Sequence, residues 1–381
     1  MNIMMLCLSP NKGGLELYAF DTAVHLEQQG HQVHYILNAQ GELKDHAIKA
    51  LQDHHTATPA TLIKSPRSFI AKLFLARKLA KYIKQHDIQI LHMHWNKDLF
   101  LAVWIKRFAS NAKQNNNLKL VYSRHMQITR TKHDAYHKFI YRHVDCMLVS
   151  TLQMQQEAQT FLPIPAKHIQ LLYLGCEKYS GPDDATTFSK TTCAKAKFKI
   201  GLFGRIEHGK GQHLMLDALI ALRKKNVSAC CVIVGHIMDQ NYYDELQDTI
   251  KQQNLSDSVQ FMGFVDTPQQ LMRNFDVVVS TTFHETFGLV LIEAMRQGIC
   301  VLGANAGGVQ EIIDDAINGK LFTTRDANDL AEQLYYIYNN PEQRKNMAQQ
   351  GKLKADAHFS AEHHYQKLLI LLTKLAEKNP I

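Results

Sequence analysis

The sequence predicts an α/β fold made of two doubly wound domains, and three observations support this. Its 381 residues exceed what one core usually holds and suit two domains of ordinary size. Short apolar runs of strand length alternate with helical stretches, which implies right-handed crossovers onto buried parallel sheets. Residues 179–196 change to Ser, Gly, Pro, Asp, Thr and Lys without apolar periodicity. We interpret them as the linker between a first domain at 1–180 and a second at 197–360.

Strands and helices alternate through the first half. The apolar run Asn2–Leu8 predicts a strand, and a helix is predicted from Leu15 to Gln29, where Gly30 ends it. A second strand is predicted at His31–Leu37. Further runs of strand length lie at Ile88–His92, Leu118–Tyr122, Cys146–Ser150 and Ile169–Tyr173.

The second half repeats the pattern. Strands are predicted at Phe198–Phe203, Cys230–Val234, Val259–Met262, Phe275–Ser280 and Ile299–Leu302, and helices at Gln212–Asn226, Tyr242–Gln253 and Leu289–Gln297. Three helical patterns close the chain, at Ala327–Asn339, Pro341–Ala357 and Ala361–Glu377. We expect the C-terminal helix, within 361–381, to pack back on the first domain. Ligands of doubly wound sheets bind outside the carboxyl ends of the strands, so we expect the halves to face each other across a ligand-binding cleft.

The composition excludes several classes of protein. An apolar share of 45% and a charged share of 20% are those of a globular protein, not of a disordered, collagen-like or coiled-coil chain. No apolar run is long enough to predict a transmembrane helix, and the N-terminus lacks the features of a signal peptide. The seven cysteines are scattered and form no C-x-x-C pair, which predicts reduced thiols and a cytoplasmic location.

The charge balance favours an anionic partner. Lysine and arginine number 43 against 35 acidic residues, a formal net charge of +8. Such an excess suits nucleic acid, a lipid surface or a phosphorylated small molecule.

Gly13 and Gly14 stand between the first predicted strand and its helix. Adjacent glycines let a ligand approach the backbone closely, and the helix N-terminus behind them favours an anion. A tight turn from strand to helix explains the same pair equally well. The segment is not G-x-G-x-x-G, so a dinucleotide site is not indicated.

A second glycine-rich loop, at 204–211, follows the first strand of the second half. It nearly matches G-x-x-x-x-G-K, but Gly211 replaces the Ser or Thr that would hold magnesium in a triphosphate hydrolase. Arg205 and Lys210 remain on the loop, and their charges suit a diphosphate. The alternative is a turn with two solvated basic residues.

The segment 283–295 carries two carboxylates, Glu285 in a predicted loop and Glu293 in the following helix. Unbonded amides near Phe287, Gly288 and Leu289 suit a phosphate or a sugar oxygen. Glu293 lies among apolar residues, where an acid without a partner is costly to bury. An ordinary cap or ion pair is the alternative explanation for Glu293.

Together these segments resemble a known family. Glu285 and Glu293 are separated by seven residues, as in the motif of retaining glycosyltransferases of the glycosyl transferases group 1 family (family four). The resemblance spans nearly the whole chain, most strongly over 198–325, and implies the GT-B fold of two Rossmann-like domains. Three further segments resemble the family's motifs: its diphosphate-binding pair (Gly204-Arg205 with Lys210-Gly211), its N-terminal glycine loop (Gly13-Gly14-Leu15-Glu16) and its G-G-x-x-E segment (Gly307-Gly308 with Glu311).

The resemblance implies roles for individual residues. Arg205 and Lys210 would neutralise the diphosphate of a nucleotide sugar, and Glu293 would bind the ribose hydroxyls. Glu285 would contact hydroxyls of the transferred sugar, with His125 near that sugar. The implied catalytic residues are thus Glu285, His125, Arg205 and Lys210; the donor-binding residues are Gly13, Gly14, Arg205, Lys210, Phe287, Gly288, Leu289 and Glu293.

Two turns depart from the family's pattern. Residues 235–238 read Gly-His-Ile-Met where a Gly-x-Gly-Pro-like turn is usual, which puts the implied nucleobase contacts there in question. Leu174-Gly175 stands where Asn-Gly is common.

We expect neither a metal nor another cofactor. The sequence contains no D-x-D motif, and Arg205 with Lys210 supplies positive charge for the leaving diphosphate. The resemblance implies that the acceptor attacks from the face of the leaving group and that the departing phosphate takes its proton.

The acceptor is expected to bind the basic half. Residues 1–190 carry 23 basic and 14 acidic residues, whereas 191–381 carry 20 and 21. The excess includes a basic amphipathic stretch at 64–84, which we hypothesise contacts an anionic membrane or a phosphorylated lipid-linked acceptor such as a lipopolysaccharide core. A surface helix with solvated lysines is the alternative. The basic residues of the stretch are Lys64, Arg67, Lys72, Arg77, Lys78, Lys81 and Lys84.

The function predicted from sequence is transfer of a sugar to a glycan or lipid-linked acceptor in bacterial cell-surface polysaccharide or lipopolysaccharide synthesis. Two alternatives remain. A sugar-nucleotide epimerase or hydrolase on the same fold would act without an acceptor. A noncatalytic nucleic-acid-binding protein would use the basic half, but the sequence has no RNA-recognition or zinc motif, so no nucleic-acid partner is expected.

Overall fold

The computed structural model describes residues 1–11, 13–45, 60–66, 68–110, 118–181, 188–189 and 191–377. The chain divides into two compact units. The first unit comprises Met1–Tyr173 with Tyr365–Ile381, and the second comprises Leu174–His364.

The first unit contains a parallel sheet in the order β3-β2-β1-β4-β5-β6-β7. From β1 the chain builds outward to β3 and then returns to the other side of β1 at β4. The sheet therefore has its switch point between β1 and β4, where doubly wound folds bind ligands. The strands are β1 (Asn2–Cys7), β2 (Gln32–Asn38), β3 (Thr61–Ile63), β4 (Ile90–Met93), β5 (Lys119–Arg124), β6 (Cys146–Val149) and β7 (Ile169–Leu171).

Polar side chains begin several helices of this unit. Ser68 accepts a hydrogen bond from the Ala71 amide, and Thr151 accepts one from the Met154 amide. These bonds satisfy amides that have no partner within the helix. The helices are α1 (Gly14–Gln28), α2 (Phe69–Gln85), α3 (Leu99–Ala109), α4 (Ala135–Tyr141) and α5 (Leu152–Phe161).

The second unit contains a parallel sheet in the order β10-β9-β8-β11-β12-β13. Its switch point lies between β8 and β11, which pair directly. The strands are β8 (Phe198–Phe203), β9 (Ala229–Val234), β10 (Val259–Gly263), β11 (Val277–Ser280), β12 (Cys300–Ala304) and β13 (Lys320–Phe322).

The remaining helices follow in chain order, and the last one enters the first unit at Tyr365. Across the described ranges, no helix has the combined length and apolar character that a membrane span needs. The helices are α6 (Gln212–Lys224), α7 (Gln240–Gln252), α8 (Pro268–Met272), α9 (Leu289–Arg296), α10 (Val309–Ile312), α11 (Ala327–Asn339), α12 (Pro341–His358) and α13 (Ala361–Ala376).

Both faces of the sheets are buried. In β1, Met4 and Leu6 join one apolar core, and Ile3 and Met5 join another. The second of these cores includes side chains of α13, spaced so that they share one helical face: Leu368, Leu372 and Leu375. A strand buried on both faces reads as a continuous apolar run, which is why these strands are visible in the sequence.

The predicted α/β class with two doubly wound sheets is confirmed. The longer predicted strands and helices agree with the structure to within a few residues. Among the residues that the structure describes, four short elements were not predicted: β3, β13, α8 and α10. They have three to five residues each, too few to show a hydrophobic period.

The prediction of reduced thiols is wrong for two cysteines. Cys193 and Cys230 form a disulfide, with their Cα atoms 5.3 Å apart. Cys193 lies in a short 3₁₀ turn, Thr192–Lys195, which packs beside β9. The pair is separated by 37 residues and so has no recognisable spacing. The other cysteines are free and buried: Cys7, Cys146, Cys176, Cys231 and Cys300.

The predicted linker is anchored where the structure describes it; residues 182–187 and 190 lie outside the described ranges. Phe188 is buried, and its ring packs edge-on against that of Phe275, with centroids 5.3 Å apart. Arg273 donates a hydrogen bond to the Tyr179 carbonyl at 3.2 Å. These contacts attach this stretch to the second unit, so it is not a loose tether there.

Candidate functional site

Two of the predicted motifs meet at the switch point of the second sheet. The glycine-rich loop follows β8, and the loop that carries Glu285 follows the neighbouring strand β11. Both strands run in the same direction, so their carboxyl ends lie at one edge of the sheet. Residues far apart in sequence are thus brought together where ligands of such sheets bind.

Hydrogen bonds join these two loops. The Thr281 hydroxyl donates to the Lys210 carbonyl at 2.6 Å, and the Phe283 amide donates to the Gly209 carbonyl at 3.0 Å. Gly211 has a φ of +67° and allows close approach, since a Cβ there would lie 2.5 Å from the Thr281 carbonyl oxygen. The loop after β11 therefore holds the backbone at Gly209, Lys210 and Gly211.

Lys210 and Glu285 form an ion pair within this site. The Lys210 Nζ atom lies 3.2 Å from Glu285 Oε2, and the two side chains are 23% and 20% exposed. Partial burial strengthens such a pair relative to one in bulk water. An ammonium–carboxylate pair therefore joins the two loops in addition to their hydrogen bonds.

Arg205 has a different partner. Its side chain is 58% exposed and lies 2.9 Å from Glu207 Oε1. The buried side chain of Gln212 donates to the Arg205 carbonyl at 2.8 Å and so holds its backbone. The structure thus places the two predicted diphosphate ligands on one loop, with Lys210 anchored and the Arg205 side chain exposed to solvent.

A third loop clamps the backbone of Glu285. It follows β12, the neighbour of β11, and its Gly308 amide donates to the Glu285 carbonyl at 3.0 Å. A Cβ atom at Gly307 would lie only 2.0 Å from the same oxygen. The two glycines of the predicted G-G-x-x-E segment therefore support Glu285 by close backbone packing.

Residues 287–289 present backbone to the site. Gly288 is the N-cap residue of α9 and has a φ of +107°. Its carbonyl accepts from the Leu291 amide at 3.0 Å, and the amides before Leu291 are those that a helix leaves without an internal partner. The Phe287 ring is buried and packs against Phe359, with centroids 5.8 Å apart. Its side chain supports the loop, so a ligand contact at this position, as predicted from the sequence, would come from main-chain atoms.

Glu293 has a different hydrogen-bond partner from the Lys210–Glu285 pair. It stands in the second turn of α9, where it forms a hydrogen bond with Gln269. Burial raises the pKa of its carboxyl to about 7, and this hydrogen bond opposes the rise. Glu293 can therefore change its charge near neutral pH.

Glu293→Gln is expected to flatten the pH dependence of stability. Folding raises the pKa of Glu293 from 4.5 to about 7. The favourable contribution of this proton binding to the free energy of unfolding is therefore complete below pH 4.5. That contribution is lost as the pH rises through about 7, because the folded protein must then release the proton. Glutamine has no such proton. Urea unfolding of both proteins across this window measures the effect, and a stability difference that does not vary with pH would contradict it.

The turn after β9 is bound to the glycine-rich loop. The Ile206 amide donates to the His236 carbonyl at 2.7 Å, and a Cβ at Gly235 would lie 2.0 Å from the Gly204 carbonyl oxygen. Ile237 and Met238 are 43% and 58% exposed. The departure from the family's usual turn thus leaves two apolar side chains at this edge.

In the first unit, Gly13 and Gly14 lie in the turn between β1 and α1. The Glu16 carboxylate accepts hydrogen bonds from the Gly13 amide, at 3.0 Å, and from the Ser9 hydroxyl. Glu16 is buried and so fixes the turn from within. A Cβ at Gly14 would meet no described atom within 4 Å, so packing within the turn does not demand glycine there.

His125 follows β5 and belongs to an aromatic cluster. Its Nε2 atom lies 3.3 Å from Nδ1 of His94, which follows β4, and the Tyr18 ring stands edge-on to both histidines. His94 is fully buried, and burial lowers its pKa well below the usual range. A neutral His94 therefore holds the ring of His125.

Three supporting residues were missed by sequence reasoning. His94 was foreshadowed by the pattern His92-x-His94 at the end of a strand. Thr281 and Gln212 left no local signal, because their roles depend on loops that meet only after folding.

Comparison with known proteins assigns the chain to a family. The model described as glycosyl transferases group 1 matches residues 183–354, and the model described as glycosyltransferase family 4 matches residues 12–177. The lipopolysaccharide core biosynthesis mannosyltransferase LpcC of Rhizobium leguminosarum bv. viciae is 26% identical over 65% of this chain and 67% of its own. The N-acetyl-alpha-D-glucosaminyl L-malate synthase of Bacillus anthracis is 23% identical over 93% of this chain and 92% of its own.

Solved structures share the fold. Anabaena Alr3699/HepE in complex with UDP superimposes with a TM-score of 0.83 at 24% identity, over 98% of this chain and all of that one. The same protein in complex with UDP-glucose gives a TM-score of 0.81. The two units are thus the Rossmann-like domains of the GT-B fold. The two family matches follow each other along the chain and include the loops described above. The chain therefore belongs to the glycosyl transferases group 1 family, as a glycosyltransferase of the family 4 type.

Proposed function

We propose that the chain is a retaining, metal-independent glycosyltransferase that moves a sugar from a nucleotide-diphosphate sugar to a glycan or lipid-linked acceptor. Bacterial cell-surface polysaccharide or lipopolysaccharide synthesis is the process it would serve. The Lys210–Glu285 pair carries the proposal, because it joins the diphosphate motif and the sugar motif within 3.2 Å. The UDP and UDP-glucose complexes of HepE support a nucleotide sugar as donor. The name of LpcC, a lipopolysaccharide core mannosyltransferase, supports the class of product.

Donor binding would redistribute the charges of the site. Arg205 and Lys210 would turn from Glu207 and Glu285 to the diphosphate oxygens, since a diphosphate carries more charge than either carboxylate. Glu285, freed from Lys210, would accept hydrogen bonds from hydroxyls of the transferred sugar. Glu293 would accept those of the ribose, and His125 would adjoin the sugar.

In the reaction, the bond between the anomeric carbon and the β-phosphate oxygen breaks and a bond to the acceptor oxygen forms on the same face. The acceptor proton passes to the departing phosphate, so the products are the glycoside and the nucleoside diphosphate. The role of Arg205, Lys210 and the first amides of α9 is to stabilise the charge on the leaving oxygen. Neither a covalent sugar–enzyme intermediate nor a metal enters this scheme.

A nucleotide-sugar thermal-shift screen followed by product NMR tests the function. A donor that binds the folded protein raises its melting temperature. With that donor and a glycan acceptor, in the presence of a chelator, we expect a product whose anomeric configuration equals that of the donor sugar. An inverted product, or activity restored only by added metal, would reject the mechanism. Free sugar or epimer formed without acceptor would assign the chain to the hydrolase or epimerase class.

We further propose that the N-terminal half of α2 contacts an anionic membrane. Phe69, Ile70 and Phe74 are 58%, 66% and 66% exposed, whereas Leu79 and Ile83 are buried in the core. Exposed apolar side chains beside lysines are typical of helices that lie on acidic lipid. The described basic residues of the stretch are Lys64, Lys72, Arg77, Lys78, Lys81 and Lys84; Arg67 lies outside the described residues.

Flotation with lipid vesicles tests this surface. We expect the protein to float with vesicles rich in anionic lipid and not with neutral ones, and the triple variant F69S/I70S/F74S to lose most of that binding. Leu353→Ser, at a residue 57% exposed on α12, is the matched control and should float like the wild type. Equal partitioning onto both kinds of vesicle would reject the proposal.

A further inference from the structure

The first unit contains a basic cavity that none of the assigned donor residues lines. Its volume is about 460 Å³, within the usual range for small-molecule sites. The first turn of α2 lines one side, the turn before α3 another, and the segment leading into α4 a third. Three lysines, one from each segment, line the cavity: Lys72, Lys97 and Lys132.

The charge of the cavity is positive. None of the three ammonium groups forms a salt bridge to a carboxylate of a residue that the structure describes. Two acids lie nearby. Asp98 is buried, accepts from the Leu8 amide at 2.8 Å and interacts electrostatically with Lys72, so it partly offsets the charge of that lysine. Asp134 lies 2.5 Å from His137. Burial, together with the charge of Arg124, lowers the pKa of Lys132, as expected where cations gather.

Aromatic side chains form the other part of the lining. The rings of Phe69 and Phe100 lie against each other, with centroids 4.9 Å apart, and Tyr136 is 53% exposed. Rigid aromatic surface beside fixed charge suits a ligand with one apolar face and one ionic group. A sugar ring that carries an anion has both.

The geometry points to this cavity as the binding site for the phosphate group of a phosphorylated sugar within the acceptor. This inference rests on the proposed glycosyltransferase function and adds the chemical class of the acceptor. A phosphate monoester carries close to two negative charges at neutral pH. Because Asp98 partly offsets Lys72, the charges of Lys97 and Lys132 are the ones left for a ligand, and two charges match a phosphate monoester better than a single carboxylate.

Calorimetric titration of the full-length protein with glucose 1-phosphate, glucuronate and glucose tests the inference. We expect glucose 1-phosphate to bind most tightly and its affinity to fall with added salt. The variant K97Q/K132Q should weaken that binding about tenfold or more, because it removes two charge-assisted contacts. The variant K78Q/K81Q makes the same charge change at two exposed positions of α2 and should bind as the wild type does.

Two further arms separate other sources of phosphate binding. Because glucose 1-phosphate is also a fragment of the proposed donor, the titrations are repeated in the Lys210→Ala background. The loss caused by K97Q/K132Q should persist there; if it disappeared, the ligand would lie at the donor residues and the inference would be overturned. Flotation with phosphatidic acid vesicles identifies a lipid headgroup. If K97Q/K132Q lost vesicle binding but kept its affinity for glucose 1-phosphate, the lysines would belong to a bilayer contact and the inference would fail.

These experiments distinguish failure of the cavity inference from failure of the proposed glycosyltransferase function. Glucose 1-phosphate binding that depends on Lys97 and Lys132, in a protein that consumes no nucleotide sugar, would reject the function and leave the cavity as a sugar-phosphate site. Conversely, sugar transfer by a protein whose K97Q/K132Q variant binds glucose 1-phosphate normally would reject the cavity alone. Equal binding of glucuronate and glucose 1-phosphate would also overturn the choice of phosphate.

Discussion

Lys210→Ala is expected to lower kcat about a hundredfold or more while the protein remains folded, the loss typical of removing one preorganised group that stabilises a leaving oxygen. The loop after β11 holds the Lys210 backbone at the switch point, and the Lys210 ammonium group lies 3.2 Å from Glu285. Alanine removes the charge that would meet the diphosphate. Nucleotide release in the presence of acceptor measures kcat, and the melting temperature reports folding.

Lys225→Ala is the matched control for this prediction. Lys225 forms an ion pair with Glu332 at 2.6 Å. It follows the C-terminal end of α6, whereas Lys210 lies before the N-terminal end of the same helix. Both substitutions remove one lysine and one ion pair from the second unit, but only Lys210 lies at the predicted donor site. Full activity in Lys210→Ala, or an equal loss in the control, would refute the assignment.

Glu285→Ala and the double variant separate two roles of the pair. If Glu285 only orients Lys210, the double variant should be no slower than Lys210→Ala alone. If Glu285 also binds the transferred sugar, as proposed, Glu285→Ala alone should abolish most transfer and the double variant should be slower still. Comparison of the three kcat values decides between these outcomes.

Gly307→Ala is the second change with a large expected effect. The residue has a φ of +61°, and a Cβ would lie 2.0 Å from the Glu285 carbonyl oxygen. The left-handed backbone costs alanine about 1 kcal/mol, and relief of the clash adds about 2 kcal/mol. Because the loop must move, Glu285 leaves its position, and we expect both a lower free energy of unfolding in urea and about a tenfold or greater loss of kcat.

Gly263→Ala isolates the backbone part of that effect. Gly263 has a similar φ of +70°, but a Cβ there would meet nothing within 4 Å. The control should therefore lose about 1 kcal/mol of stability and retain full activity. Equal stability losses in the two variants would show that the close packing of Gly307 on Glu285 adds nothing to stability. Normal activity in Gly307→Ala would show that this packing is not needed for catalysis.

Much of the fold was predictable because parallel strands are buried on both faces. β1, β8 and β11 are short apolar runs, and each is followed by a loop rich in glycine or polar residues. Small edge elements such as β3 were not predictable, because three residues show no period. The Cys193–Cys230 disulfide also escaped prediction, since its two positions approach only when the turn 192–195 packs beside β9.

The predicted site residues have different partners in the folded chain. Lys210 and Glu285 come together because their loops follow adjacent strands, whereas Arg205 pairs with Glu207 and Glu293 with Gln269. Their assigned roles toward a nucleotide sugar stay predictions. The motif spacing between Glu285 and Glu293 describes one local segment, and it carries no information about which side chain from another strand faces each carboxylate.

The α/β class, the two doubly wound halves and the family motifs can be read from the chain alone, because they depend on local periodicity and on residues close together in the chain. Which charges meet depends on the folded arrangement. The pairing of β8 with β11 brings Lys210 to Glu285 across 75 residues, and the meeting of α2, α3 and α4 gathers three lysines around one cavity. Ion pairs and steric contacts form only between atoms a few ångströms apart, so their partners are set by strand order and helix packing, not by distance along the chain.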